Sequence, residues 1–528
     1  MKAILMRCRI VKVLVAESVP SPPRPELVEG WWRRGLGRGG LYAATFLLTS
    51  CSFAPPYHRP SLPVTNHYKE NGTWLKATPA SASIDRGDWW RMYRDADLDR
   101  LEKLVCQNNQ DLKVAVARFE EARSAALIAQ AAYYPTIFSL FNASRQGTSS
   151  TAVIPNSGTT FNDLLTGLDL SYEVDVWGRV RNTVKSAEKR MKASAMDTAS
   201  IFLTLQAELA ADYFSLRAAD ANQVIYDQTV RAYQAELTLT RDRYKGGIAS
   251  ISDVYQAKTQ YENARTQSTN NRLQRAQLEH AIAILIGEVP AAFSLPPAVK
   301  PFYLVEVTPE LPSILLERRP DIAAAELRVQ AANADIGAAR AAYFPAVNLS
   351  AGLGFESSSF GNLFRGDSMI WAFGPSTALS ALTGTRLPLV SYTVFDGGQI
   401  AGLTRQAWAA YHENVAQYRE TVLRAFKEVE DSLVALHRLN QENTTQQLAT
   451  TAANNALTQA KYRYRGGIVN YLEVVTFENL ALQARLNLVS IEVRRQIASV
   501  QLVKALGGGW LGCKDCQNNL HGKVVVTS

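Results

Sequence analysis

The strongest constraint in this chain is what two long stretches leave out. Residues 179–289 contain no proline, and their only glycines are Gly246, Gly247 and Gly287. The stretch after Pro388 also lacks proline as far as Ser528. Proline breaks a helix interior and glycine weakens it, so such stretches can carry helices of unusual length. Inside each lies nearly the same phrase, "RYKGGI" at 243–248 and "RYRGGI" at 463–468. A Gly-Gly pair supplies the left-handed backbone on which a helix ends. Gly246, Gly247, Gly466 and Gly467 therefore predict the tips of two antiparallel helical hairpins. A first arm of about 65 residues would reach roughly 100 Å, with another long helix returning from the tip.

The apolar positions support this. Val415, Tyr418, Val422, Phe426, Val429, Leu433 and Leu436 step by three or four, a coiled-coil-like seam. Phe202, Leu209, Tyr213 and Leu216 take the matching places in the first stretch. The duplication extends beyond the tips. "DLKVAVARFEEARSAALIAQAAYYP" (111–135) parallels "DIAAAELRVQAANADIGAARAAYFP" (321–345), each an Ala-rich helix that Pro135 or Pro345 stops. "LSYEVDVWGRV" (170–180) loosely parallels "VSYTVFDGGQI" (390–400), and Gly287 pairs with Gly507. The chain reads as two copies of one unit.

Between the Ala-rich helix and the hairpin, each copy alternates as a strand does. Leu168, Leu170, Tyr172, Val174 and Val176 point one way, and Asp169, Ser171, Glu173 and Asp175 the other. Val347, Leu349, Ala351, Leu353 and Phe355 alternate with Asn348, Ser350, Gly352 and Gly354. Each copy holds two such strands, joined by Ser/Gly/Asn-rich loops near 146–162 and 356–377. Large apolar side chains on one face and small polar ones on the other suit a water-filled barrel in lipid, and equally a half-buried soluble sheet. About four strands per chain cannot close a barrel, since small ones need about eight; three copies would supply about twelve.

The N-terminal region carries an export signal. "WWRRGLGRGG" is positive, "LYAATFLL" is a short apolar core, and "TSC" ends it at Cys51. "LLTSC" resembles a bacterial lipobox, which implies acylation of Cys51 with fatty chains such as palmitate. Ser52 after it resembles the outer-membrane sorting preference. The Pro-rich "SVPSPPRPELVEG" fits such a signal poorly, and we expect translation to start further down, near Val28. The expected divisions are a signal region at 1–50, a lipid-anchored segment at 51–88, repeat 1 at 89–290, a linker at 291–310, repeat 2 at 311–508 and a tail at 509–528.

Several function classes recede. The net charge of +8 is diffuse: eight of the 56 Lys and Arg fall in the first 40 positions and the rest mingle with acids, so no nucleic-acid partner is expected. The six histidines form no Ser/His/Asp or metal-spaced cluster, so neither catalytic residues, a bound metal nor a cofactor is expected beyond the lipid on Cys51. Cys513-x-x-Cys516 stands without a partner pair, weak support for zinc, and "GLGRGG" lacks the flanking strand and helix of a dinucleotide site. A coiled-coil stalk is the remaining rival, and the alternating strands speak against it.

Four stretches carry a resemblance: "DWWRMYRDADLDRLEKLVCQNNQDLKVAVARFEEAR" (88–123), "LPSILLERRPDIAAAELRVQAANADIGAARAAYFPAVNLSA" (311–351), the lipobox, and the duplicated hairpin ending in "RYRGGIVNYLEV" (463–474). They are similar to the TolC-like outer-membrane efflux family, in the lipoprotein branch that serves resistance-nodulation-division (RND) pumps. The resemblance covers about residues 51–508. It implies a homotrimer in a Gram-negative outer membrane, with a twelve-stranded transmembrane β-barrel, a periplasmic α-helical barrel and no enzyme activity. It also implies a periplasmic adaptor and an inner-membrane RND transporter as partners, with drugs or other small toxic compounds as cargo. A type I secretion conduit or a metal-ion efflux duct is the alternative.

The family closes at its periplasmic tip, where the resemblance places an apolar ring at Leu472. One turn on, the family often has an acid and, three places later, an arginine; this chain has Thr476 and Asn479. Glu473 and Asp253 are the nearby carboxylates that could supply an acidic ring, or simply be solvated helix-tip acids. In "ERRPD", Pro320 and Asp321 suit a helix start, and Arg318 and Arg319 are expected to tie that junction to its neighbours.

Overall fold

The computed structural model describes residues 52–62, 69, 88–151, 158–303, 319–374, 390–391 and 395–508. Cys51, Arg318, Cys513 and Cys516 lie outside these residues, and so do the expectations that rest on them. The first copy runs through α1 (Ala96–Asn108), α2 (Gln110–Ala131), β1 (Thr136–Gly147), β2 (Thr160–Val174), α3 (Arg179–Lys245) and α4 (Ile251–Leu285). The second runs through α5 (Pro320–Ala341), β3 (Ala346–Ser357), β4 (Met369–Gly374), β5 (Val390–Ser391), α6 (Gln399–Arg465) and α7 (Tyr471–Ala505). No described helix is long and apolar enough to cross a membrane.

The long arms α3 and α6 hold 67 residues each, but their return arms α4 and α7 hold only 35. The expected long return is therefore half the length of the outgoing arm. Gly287 (φ +72°) and Gly507 (φ +71°) end the two return arms in the left-handed conformation that suits glycine. The barrel-side part of each long helix is covered instead by the Ala-rich helices: α3 packs on α2 and α5, and α6 packs on α5. Alanine at Ala324, Ala331, Ala332 and Ala334 is buried there, and its small side chain lets the helices approach closely.

The strands form one antiparallel sheet in the order β1-β2-β3-β4, so the seam between the two copies lies at β2–β3. Because β5 pairs with the base of β3 on the edge that β4 takes higher up, the two make one interrupted fourth track. Register puts Leu168 beside Leu353 and Leu353 beside Trp371, with Phe141 beside Thr166 and Thr166 beside Phe355. These rows share one face, where Phe141, Leu168, Leu353, Trp371 and Phe373 are exposed. The opposite face carries Asp169, Ser350, Gly352 and Gly354. The Gly167–Gly354 pair lets β2 and β3 press together: a Cβ at Gly354 would sit 2.5 Å from the Thr166 carbonyl oxygen.

Two of the alternating carboxylates do a different job at the strand base. Asp175 accepts from the Val180 and Arg181 amides at 3.0 and 2.9 Å, capping α3, and Glu173 pairs with Arg179. They fix the angle at which the helix leaves the sheet.

The main core lies midway along the helices. Trp89, Trp90, Tyr93, Leu98, Leu101, Leu209, Tyr213, Leu216, Tyr418, Val422, Val429 and Leu433 are all buried there. Val415 and Phe426 pack on it from the rim, so the whole predicted seam on α6 is in use. A buried ionic belt closes this level. Asp220 on α3 accepts from Arg217 at 3.0 Å, from Arg275 on α4 at 2.7 Å and from the Ala298 amide at 3.0 Å. Arg217 continues to Asp97 at 3.0 Å, and Lys300 joins Asp95 and Asp97, each at 2.8 Å. The "ERRPD" junction is tied as expected for Arg319: it pairs with Asp321 and with Glu428 on α6, each at 2.6 Å, and donates to the Ala505 carbonyl at 3.1 Å.

Candidate functional site: the helical tip

Both glycine phrases make the same turn. The amide of Ile248 donates to the Arg243 carbonyl (2.9 Å) and that of Gly247 to Tyr244 (3.0 Å); Ile468 and Gly467 repeat this onto Arg463 and Tyr464. Gly247 and Gly467 sit at φ +71° and +73°, the left-handed position that closes such a cap. Gly246 and Gly466 precede them as the C-cap residues, directly after the helices end. The exposed Ile248 and Ile468 project beyond the turns.

The return arms start differently. Ser250 and Asp253 form a reciprocal capping box on α4, with hydrogen bonds of 3.1 and 3.2 Å. Asn470 caps α7 by accepting from the Glu473 amide at 3.2 Å, and the Glu473 carboxylate pairs with Arg463 at 2.7 Å. Both candidate carboxylates thus have partners within their own hairpins. Leu472 is exposed, and Thr476 donates to its carbonyl at 2.9 Å. Leu472, Thr476, Asn479 and Gln483 are all exposed at helical spacing. That face of α7 is apolar at its end and uncharged above.

The two arginines that open the repeated phrase behave unequally. Arg463 stays on Glu473, whereas Arg243 crosses to the second hairpin. Its guanidinium donates to the Tyr464 and Arg465 carbonyls, both at 3.3 Å, and lies 4.5 Å from the centre of the Tyr464 ring. Those carbonyls are the negative end of α6, a favourable seat for a cation.

One or two turns up, a small core joins the hairpins: Leu237, Val254, Ala257, Tyr471, Val474 and Val475. Beside it, Lys461 Nζ lies 2.7 Å from Glu236 on α3 and 2.8 Å from Glu478 on α7. Burial, then the neighbouring Glu236, pushes the Glu478 carboxyl up to about 8. Sequence reasoning missed this trio because its members stand in three separate helices, and no local pattern joins them.

A sheet with an apolar outer face, joined to paired helices about 100 Å long that end at a shared tip, invites comparison with known channels. The family model for the outer membrane efflux protein matches residues 101–288 and 311–508. The chain belongs to the outer membrane efflux protein family. Outer membrane protein OprJ of Pseudomonas aeruginosa is 33% identical over 476 residues, covering 89% of this chain and 96% of OprJ. The probable efflux pump outer membrane protein TtgC of Pseudomonas putida is 30% identical over 472 residues, covering 89% and 95%. The cation efflux system protein CusC of Escherichia coli is 29% identical over 472 residues, covering 89% and 98%. A solved structure of CusC superposes with a TM-score of 0.75 at 28% identity, over 87% of this chain and all of that one.

This outer membrane efflux protein is thus a transport duct with the TolC-like fold, and its assembly is trimeric. Its four strand tracks make one third of the barrel, and its helical hairpins extend into the periplasm.

Proposed function

We propose that the chain is the exit duct of a tripartite RND-type efflux system, passing drugs or other small toxic compounds outward. A periplasmic adaptor and an inner-membrane RND transporter are its partners, and the duct itself performs no catalysis. The observation that carries this is the tip, where two unequal hairpins are held together by contacts that can be broken. In this reading Leu472 narrows the closed opening as an apolar ring. Thr476 and Asn479 leave the face above it uncharged, while Asp253 serves its local cap and Glu473 pairs with Arg463 rather than forming an acidic ring.

Leu472→Ala is expected to raise single-channel conductance in planar bilayers, since truncation removes three carbons from each protomer's contribution to the opening. Conductance equal to the parent would remove Leu472 from the constriction.

The lipid on Cys51 is part of the same proposal. Phe53 stacks on Phe344 with ring centres 4.4 Å apart, and Phe344 stacks on Trp177 at 4.9 Å. Trp177 and Phe344 stand where strands give way to helices, so they suit the aromatic girdle of a barrel at the inner membrane surface. The segment after Cys51 is thereby held at the depth where acyl chains could enter the leaflet.

A metal-ion cargo is the second reading, supported by the likeness to the cation efflux protein CusC. A strain lacking the gene separates the two. Greater susceptibility to hydrophobic antibiotics alone supports the drug reading, and greater susceptibility to transition-metal salts alone supports the other.

A further inference from the structure

We infer that Glu236, Glu478 and Lys461 form a proton-binding latch between the two hairpins, closed when the two carboxyl groups share one proton and loosened when it leaves. Its consequence for gating rests on the channel reading above; the proton site itself does not.

The geometry is that of two acids around one base. Lys461 Nζ touches both carboxyl groups, at 2.7 and 2.8 Å, and so joins α3 of the first hairpin to α6 and α7 of the second. Glu478 is 3% exposed; Lys461 meets its Oε1, and neither its Oε2 nor Glu236 Oε2 accepts a hydrogen bond. The hydroxyls of Tyr233 and Tyr471, both almost fully buried, are likewise without partners. With one ammonium and two carboxylates the pocket holds a net buried negative charge, which is costly away from water. One proton between the acids makes the cluster neutral and gives an empty oxygen a donor.

The groups facing Glu478 come from every helix around it. Tyr233 and Glu236 lie on α3, Lys461 on α6 and Tyr471 on α7 itself, while α4 contributes the apolar Val254 and Ala257 to the adjoining core. Burial works against the Lys461 charge, yet Glu478 and Glu236 hold its pKa above the usual lysine range, so the ammonium persists through the range in question. Burial first, and Glu236 second, raise the Glu478 carboxyl to about 8. A carboxyl raised in this way binds its proton more tightly in the packed arrangement than in the loosened one. The packed arrangement is therefore at full strength below the ordinary glutamate range and weakens as pH rises through about 8. Above that point Glu236 and Glu478 repel across one lysine, and the second hairpin is pushed from the first. Leu472 sits six residues before Glu478 on α7, so a shift of this helix moves the tip.

The test takes the full-length protein in detergent and in planar bilayers, titrated from about pH 5 to about pH 9. Infrared difference spectra should show a protonated carboxyl band near neutral pH that disappears as pH rises, and that both Glu478→Gln and Glu236→Gln remove. Channel opening should become more frequent over the same interval in the parent, and lose that dependence in Glu478→Gln, whose neutral amide imitates the protonated acid. A parent without such a band overturns the proposal, as does a Glu478→Gln channel that keeps the parent's pH profile. A band that titrates in a protein that never conducts sustains the proton site and overturns the channel reading instead.

Discussion

Asp220→Ala is expected to destabilise the folded protein by about 3–5 kcal/mol, the range for breaking a buried charge network by removing one partner. The Asp220 side chain is 2% exposed and accepts from two guanidiniums and one backbone amide. Its removal leaves Arg217, itself 2% exposed, with Asp97 as its remaining carboxylate, and strips Arg275 of one of two. The belt also fastens residues 295–300 to the hairpin: Arg217 donates to the Pro296 carbonyl, and Glu279 accepts from the Leu295 amide. Thermal unfolding in detergent measures the loss. Asp220→Asn, which keeps the shape and one acceptor, should fall between parent and alanine. Added salt should change the difference little, because screening barely reaches buried pairs. An alanine variant as stable as the parent would show that the belt is dispensable.

Arg243→Ala should raise the open fraction of the channel about tenfold or more. The loss comprises two charge-assisted hydrogen bonds to the end of α6 and a cation–π contact with Tyr464. Each such hydrogen bond contributes about 1.5–3 kcal/mol at most, discounted here because the side chain is partly exposed. About 1.4 kcal/mol is a factor of ten in an equilibrium. Open probability in planar bilayers measures the effect, and Arg463→Ala is the internal control. That arginine binds Glu473 within its own hairpin, so its loss should disturb the opening far less. Equal effects from both would mean that the crossing contact does not restrain the tip.

The pair of arginines also shows where reading the sequence stops. Arg243 and Arg463 occupy the same place in one repeated phrase, and nothing local distinguishes them. Their difference arises only when two hairpins lie side by side, so that Arg243 reaches across while Arg463 stays within its own. The turns were legible, because a glycine pair within proline-free sequence has few other uses, and so were β2 and β3, because alternation at 168–176 and 347–355 is strict; β4 instead falls inside the stretch that reads as a loop near 356–377. The half-length return arms were less so. Gly287 and Gly507 mark their ends plainly, but the matching start opposite them lies in α2 and α5, whose Ala-rich pattern reads as separate helices. At the tip, Glu473 and Asp253 attract notice as acids beside the turn, although both are engaged in their own hairpins. Glu478, lying among apolar neighbours on α7, has the most perturbed carboxyl at this tip, and only its packing against Glu236 and Lys461 reveals it.

The sheet order has a genetic consequence. Among the described residues β1 and β4 are edge strands, and they differ from one another. A ring of three such chains closes only by joining the first edge of each to the last edge of the next. A chain with a spoiled β1 still presents a sound β4, and so can enter a ring that it then prevents from closing. Such an allele, expressed beside the normal gene, would act dominantly, sequestering intact subunits in defective assemblies.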